Sequence, residues 1–126
     1  MDLALSEEQT LVVDNVRRFV RDEIVPLEAS LDPDADELPA DDYRRLVDKT
    51  RAMGLYGLDI PVAYGGPDID LVTRTLVAIE MAQHRAGLYA PCYGVFGGAG
   101  LAQLFEATED QKERYLKPLL AGETLI

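Results

Sequence analysis

The sequence predicts an all-α fold, an up-and-down helical bundle of about five helices, on three observations. Apolar residues recur at three- and four-residue steps along the chain. Hydroxyl or acidic capping residues open several of these stretches and glycines close them. Strand-like alternation is almost absent. At 126 residues the chain falls within the roughly 100–200 residues of one domain, so residues 1–126 are expected to share one core.

Ser6-Glu7-Glu8-Gln9 is a capping box: hydroxyl and amide satisfy each other's backbone N–H groups, so a first helix begins there. Val12, Val16, Phe19, Val20 and Ile24 form its apolar stripe, opposite Asp14, Arg17, Arg18, Arg21 and Asp22. Pro26 lacks an N–H, so a kink or stop is expected near Val25. Residues 31–42 are rich in Asp and Pro and read as a loop. A second helix is expected from Pro39 or Asp41 through Tyr43, Leu46, Val47 and Thr50 to Met53, with Gly54 as its stop. From Gly57 to Pro67 two prolines and Gly65-Gly66 forbid a helix and predict an ordered corner. A third helix, capped by Asp70, is expected over 71–85, with Val72, Leu76, Ile79 and Gln83 on one stripe and Gly87 as its stop.

A fourth helix is expected over 91–105, apolar on nearly all sides and therefore buried on nearly all sides. It would contain Gly94, Gly97, Gly98 and Gly100, each costing about 1 kcal/mol against alanine in a helix interior, so a compensating role is sought for them. Thr108-Glu109-Asp110-Gln111 is a second capping box and opens a last helix through Tyr115 and Leu116 to Leu120, closed by Gly122. Thr124-Leu125-Ile126 reads as a strand just beginning, which leads us to expect that the sequence continues.

Charge and composition exclude several classes. With 12 basic and 23 acidic residues the chain carries a formal charge of −11, which repels phosphate backbones and argues against nucleic acid as a partner. One cysteine, Cys92, allows no internal disulfide and no cysteine-rich metal site, and suits a reducing cytoplasm. No stretch reaches the roughly 20 apolar residues of a membrane span, and no basic n-region precedes an apolar run. Neither a Walker phosphate loop nor a strand-flanked G-x-G-x-x-G is present. The acidic pairs Glu7-Glu8, Asp41-Asp42 and Glu109-Asp110 stand at helix starts, where the dipole accounts for them. The single histidine, His84, has no nucleophile motif around it, and Cys92 in apolar text reads as packing. No catalytic residue and no metal ligand is nominated.

The words Leu5-Ser6-Glu7-Glu8-Gln9, Arg18-Phe19, Ile24-Val25-Pro26, Gly54-Leu55-Tyr56-Gly57-Leu58, Ile60-Pro61, Tyr64-Gly65-Gly66, Glu80-Met81-Ala82, Glu109-Asp110-Gln111-Lys112, Tyr115-Leu116 and Gly122-Glu123 follow one another in an order that resembles the N-terminal domain of acyl-CoA dehydrogenases. The resemblance covers essentially the whole chain. It implies a helical N-terminal domain, with the family's β-rich middle domain and C-terminal helical bundle not present in these residues. It also implies FAD as cofactor, an acyl-CoA as substrate and a homo-oligomer, dimer or tetramer, in the complete enzyme. In that family a Glu carboxylate of the later domains removes the α-proton and the β-hydride passes to flavin, giving the 2,3-enoyl-CoA. Such an oxidoreductase would serve fatty acid metabolism, and this fragment, lacking the base, would be inactive alone. No residue here is assigned to FAD.

The resemblance also places the glycine stretch at the far end of the acyl pocket. Gly94, Gly97, Gly98 and Leu101, on neighbouring faces of the expected fourth helix, are therefore the candidate substrate-binding wall, with close helix packing as the competing explanation. A second reading from another class stays open: a free-standing acidic helical module that binds a protein partner. Exposed apolar patches would favour the first reading and a well-packed surface the second.

Overall fold

In the computed structural model the described residues are 3–35, 37–85, 91–97 and 102–123. Every regular element among them is helical. α1 (Glu7–Phe19) opens on the expected box: Gln9 N donates to Ser6 Oγ at 3.1 Å and Ser6 N to Gln9 Oε1 at 3.0 Å. The rod does not stop at Pro26. It passes through a π turn, Val20–Ile24, into α2 (Val25–Ala29). Val25 N–H donates to Val20 O, five residues back, and this wider turn moves the preceding carbonyls away from the proline ring. The last rod repeats the device. α6 (Glu109–Gln111), capped by Thr108, enters a π turn over Lys112–Leu116 and continues as α7 (Lys117–Ala121) with Pro118 just inside it.

α3 (Ala40–Ala52) buries Leu46, Val47 and Thr50, as its periodicity requires. α4 (Leu71–Met81) carries two corrections. It ends at Met81 rather than near Arg85, because the chain turns there to bring the Arg85 N–H onto the Glu28 carboxylate; Gly87, the expected stop, lies outside the described residues. Its buried positions are Thr73 and Val77, while Val72 and Ile79 of the expected stripe are 60% and 52% exposed. Thr73, Arg74, Thr75 and Glu80 are spread around α4 rather than gathered on one face, so periodicity alone does not fix its buried side, and Asp70 decides: its carboxylate accepts from Thr73 N and Thr73 Oγ1, both at 2.8 Å, turning Thr73 inward toward Gln9.

The main core joins Val16, Phe19 and Ile24 of the first rod to Leu46 and Val47 of α3, Val77 of α4, and Val95 and Phe96 of the following segment. Phe19 and Phe96 meet edge to face, centroids 5.3 Å apart. A smaller cluster around Ile60 and Leu116 packs the last rod and α5 (Ala102–Phe105) against the 57–66 corner. There Gly66 is obligatory: a Cβ on it would lie 1.7 Å from Ile60 O. Ion pairs lace the surface, among them Arg17–Glu80 between α1 and α4, and Glu23 with Arg45 and Lys49 between the π turn and α3.

Candidate functional site

The expected fourth helix over 91–105 is not continuous. Pro91–Gly94 forms a single left-handed turn, with Cys92 at φ 49°, Tyr93 at φ 56° and Gly94 at φ 78°, and Gly97 is again left-handed at φ 65°. Among the described residues only α5 remains of the helix. The cause is the one that made its glycines look costly: glycine enters left-handed backbone freely, and several in close succession favour a chain that reverses. Cys92 and Tyr93 have no such freedom and each carries strain of about 1–2 kcal/mol, which the surroundings must offset.

The offsetting contacts are specific. Val95 and Phe96 are buried in the core, Thr50 Oγ1 donates to Val95 O at 2.6 Å, and Gly57 N donates to Phe96 O at 2.6 Å. On the other side Glu28, nearly buried, gathers Tyr93 Oη at 3.0 Å and the Arg85 backbone N–H at 3.1 and 3.2 Å. His84 completes the anchor. Its Nε2 accepts the Cys92 N–H, its Nδ1 stands 3.6 Å from Glu28 Oε2, and its side chain is wholly buried. Burial lowers the His84 pKa, and the Glu28 charge opposes that only in part.

Of the four residues expected to line a pocket, Gly94 and Gly97 lie within this segment, and Gly98 and Leu101 lie outside the described residues. The two described glycines differ. A Cβ on Gly94 would meet nothing within 4 Å, whereas one on Gly97 would lie 2.6 Å from Tyr56 Cζ. The helix expected to carry both is not formed over 91–97, where the two glycines take left-handed backbone. Cys92 is packed as expected: it is fully buried, its thiol donates to Met81 O at 3.2 Å, and burial, with the Glu28 charge, pushes its pKa up to about 12.

Glu28 is the residue that sequence reasoning did not single out. The available signal was an acid on the apolar side of a helix just beyond a proline, and it becomes meaningful only when His84, Arg85 and Tyr93 arrive from 56 or more positions along the chain. Glu28 and His84 form the one carboxylate and imidazole pair brought together among the described residues. Both are engaged with backbone N–H groups and nearly buried among the described residues, so the pair anchors structure. Among the described residues no cluster of His, Cys, Asp or Glu is arranged to hold a metal, and no helix is long and apolar enough to cross a membrane.

The profile of the acyl-CoA dehydrogenase N-terminal domain matches residues 6–123. This chain belongs to that family. Its relatives include an (R)-benzylsuccinyl-CoA dehydrogenase of Thauera aromatica, 35% identical over 69% of this chain and 23% of that protein. A 3-(aryl)acrylate reductase of Clostridium sporogenes is 31% identical over 96% of this chain and 31% of that protein. A short-chain-specific acyl-CoA dehydrogenase of Clostridium acetobutylicum is 29% identical over 99% of this chain and 32% of that protein. The chain thus spans about a quarter to a third of the length of these relatives. No solved structure matches it significantly.

Proposed function

We propose that this chain is the N-terminal domain of a flavin-dependent acyl-CoA dehydrogenase, a cytoplasmic, homo-oligomeric oxidoreductase that converts an acyl-CoA thioester to the 2,3-enoyl-CoA, and that the domain is inactive by itself. The observation that carries this reading is the family match across residues 6–123. Arg17, Arg45, Lys49, Arg74 and Lys112 are each engaged by a carboxylate rather than open to a pyrophosphate, and the net charge of −11 works against binding one. FAD and the catalytic base are therefore assigned to sequence outside these 126 residues. Leu71, Val72 and Ile79, 72%, 60% and 52% exposed along one helix, support a domain that packs against others rather than a free-standing module.

Within this reading Gly94, with open space where a side chain would stand, is the described residue that suits an acyl-pocket wall; Gly97 is explained by its packing on Tyr56. The test has two parts. The 126-residue chain purifies colourless and reduces no dye with acyl-CoA, while the complete gene product carrying it is yellow and does. A chromophore bound to the short chain at near-equal stoichiometry, or a complete product without turnover, overturns the assignment. In the complete enzyme Gly94→Asn, which adds bulk while tolerating left-handed backbone, lowers kcat/KM for long acyl chains about tenfold or more relative to short ones. An unchanged ratio removes Gly94 from the pocket.

A further inference from the structure

The left-handed turn Pro91–Gly94 holds two non-glycine residues in positive-φ backbone, so its geometry depends on the contacts that hold it. One of these contacts is chemically conditional. The Cys92 N–H can donate to His84 Nε2 only while that nitrogen carries no proton, which places the ring hydrogen on Nδ1, the side facing Glu28. Adding a proton to Nε2 sets two donors face to face. The same proton strengthens the attraction of the ring for Glu28, whose oxygens already serve Tyr93 Oη and the Arg85 N–H.

We propose that neutral His84 is the positioning residue that pins the left-handed turn 91–94, and that protonating its Nε2 unpins the turn, so that acid acts on the glycine segment the turn carries.

The groups facing His84 support this direction. From α2 comes the Glu28 carboxylate; from the turn after α4, Arg85, whose guanidinium is directed to Asp32 O at 3.2 Å; from 91–94, the Cys92 thiol, held neutral by burial, and the Tyr93 ring, 5.2 Å from the imidazole. Among the described residues Glu28 is the charge that acts on the ring, and burial outweighs it, so the folded pKa lies below the ordinary value of about 6.5. The unfolded turn then binds the proton more tightly than the pinned turn does. Pinning is complete above the ordinary value, weakens as pH falls toward the lowered one, and is weakest below it.

Hydrogen exchange of segment 91–97, corrected for the intrinsic pH dependence of exchange, reads the pin directly. Protection should fall by about tenfold per pH unit below about 6.5 and level off at the folded pKa. His84→Gln keeps an acceptor and cannot titrate, so its protection should be flat across that range. Glu28→Gln removes the charge that favours the imidazolium, so the fall should continue to lower pH. Imidazole ¹⁵N shifts of the unsubstituted protein test the premise even where a variant folds poorly: neutral His84 must carry its proton on Nδ1. A flat profile in the unsubstituted protein, an identical fall in His84→Gln, or a neutral tautomer protonated on Nε2 each overturns the proposal.

Any effect on substrate choice rests on the acyl-pocket reading of Gly94, and the two fail separately. Release of the turn with an unchanged chain-length preference in the complete enzyme removes the pocket and leaves the pin, whereas flat exchange removes the pin whatever the substrate profile.

Discussion

Gly94 and Gly97 form a natural pair for measuring how much of this segment is set by a close contact, because they share a backbone conformation and differ in surroundings. At φ 78° and 65° an alanine pays the left-handed penalty of about 1–2 kcal/mol at either position, offset by about 0.4–1 kcal/mol of lost unfolded-state entropy. Gly94→Ala adds nothing further, since its Cβ meets no atom within 4 Å. Gly97→Ala places a methyl 2.6 Å from Tyr56 Cζ and 2.9 Å from both Cε atoms. Carbon contacts rest at about 3.5–4.0 Å, so the ring must retreat by about 1 Å. Its retreat disturbs the Arg51 guanidinium, stacked 4.0 Å from the ring centroid. Overpacking of this kind costs about 1–3 kcal/mol, and that is the expected difference between the two variants. With a urea m-value of about 2 kcal/mol/M, their unfolding midpoints should separate by roughly 1 M, Gly97→Ala being the less stable. Introducing Tyr56→Leu should shrink the gap, since the two sites are in contact and their effects do not add. Coincident midpoints for the two alanine variants would refute the contact as the reason for glycine at 97.

Three further outcomes are expected. Ser6→Ala and Thr108→Ala should each lower the denaturation midpoint by the equivalent of about 0.5–2 kcal/mol, since both hydroxyls cap N–H groups in closed boxes. Thr50→Val leaves the buried Val95 carbonyl without its 2.6 Å donor and should cost about 1–3 kcal/mol in the same assay, a larger effect than an isosteric change at an exposed site. The Glu23 carboxyl, held below the usual range by Lys49 and Arg45, should titrate by carboxyl NMR below an exposed glutamate. The tie between the π turn and α3 is then complete above the ordinary carboxylate range and lost as pH falls through the lowered value, and Lys49→Met should move the titration upward.

The helices were legible in the sequence wherever the signal is local. Ser6 with Gln9 and Thr108 with Gln111 cap where the spacing requires, Gly54 and Gly122 turn left-handed after their helices, and the stripe Val16, Phe19, Val20, Ile24 is buried. The family words were legible too, being short and ordered along the chain. Other features depended on contacts between distant residues. Pro26 and Pro118 continue their rods because a π turn precedes each, a shift in hydrogen-bond register that no side-chain pattern encodes. Val72 and Ile79 face outward because Asp70 turns Thr73 inward, a choice left undecided by polar residues spread around α4. The glycines of 91–97 made a helix costly without saying what replaces it. The replacement depends on Glu28, Thr50, Tyr56 and His84, which are remote in sequence and meet only in the folded chain. Capping and periodicity act over one or two helical turns, so a linear reading captures them; a strained turn is held by whatever packs around it, and only the tertiary structure decides what that is.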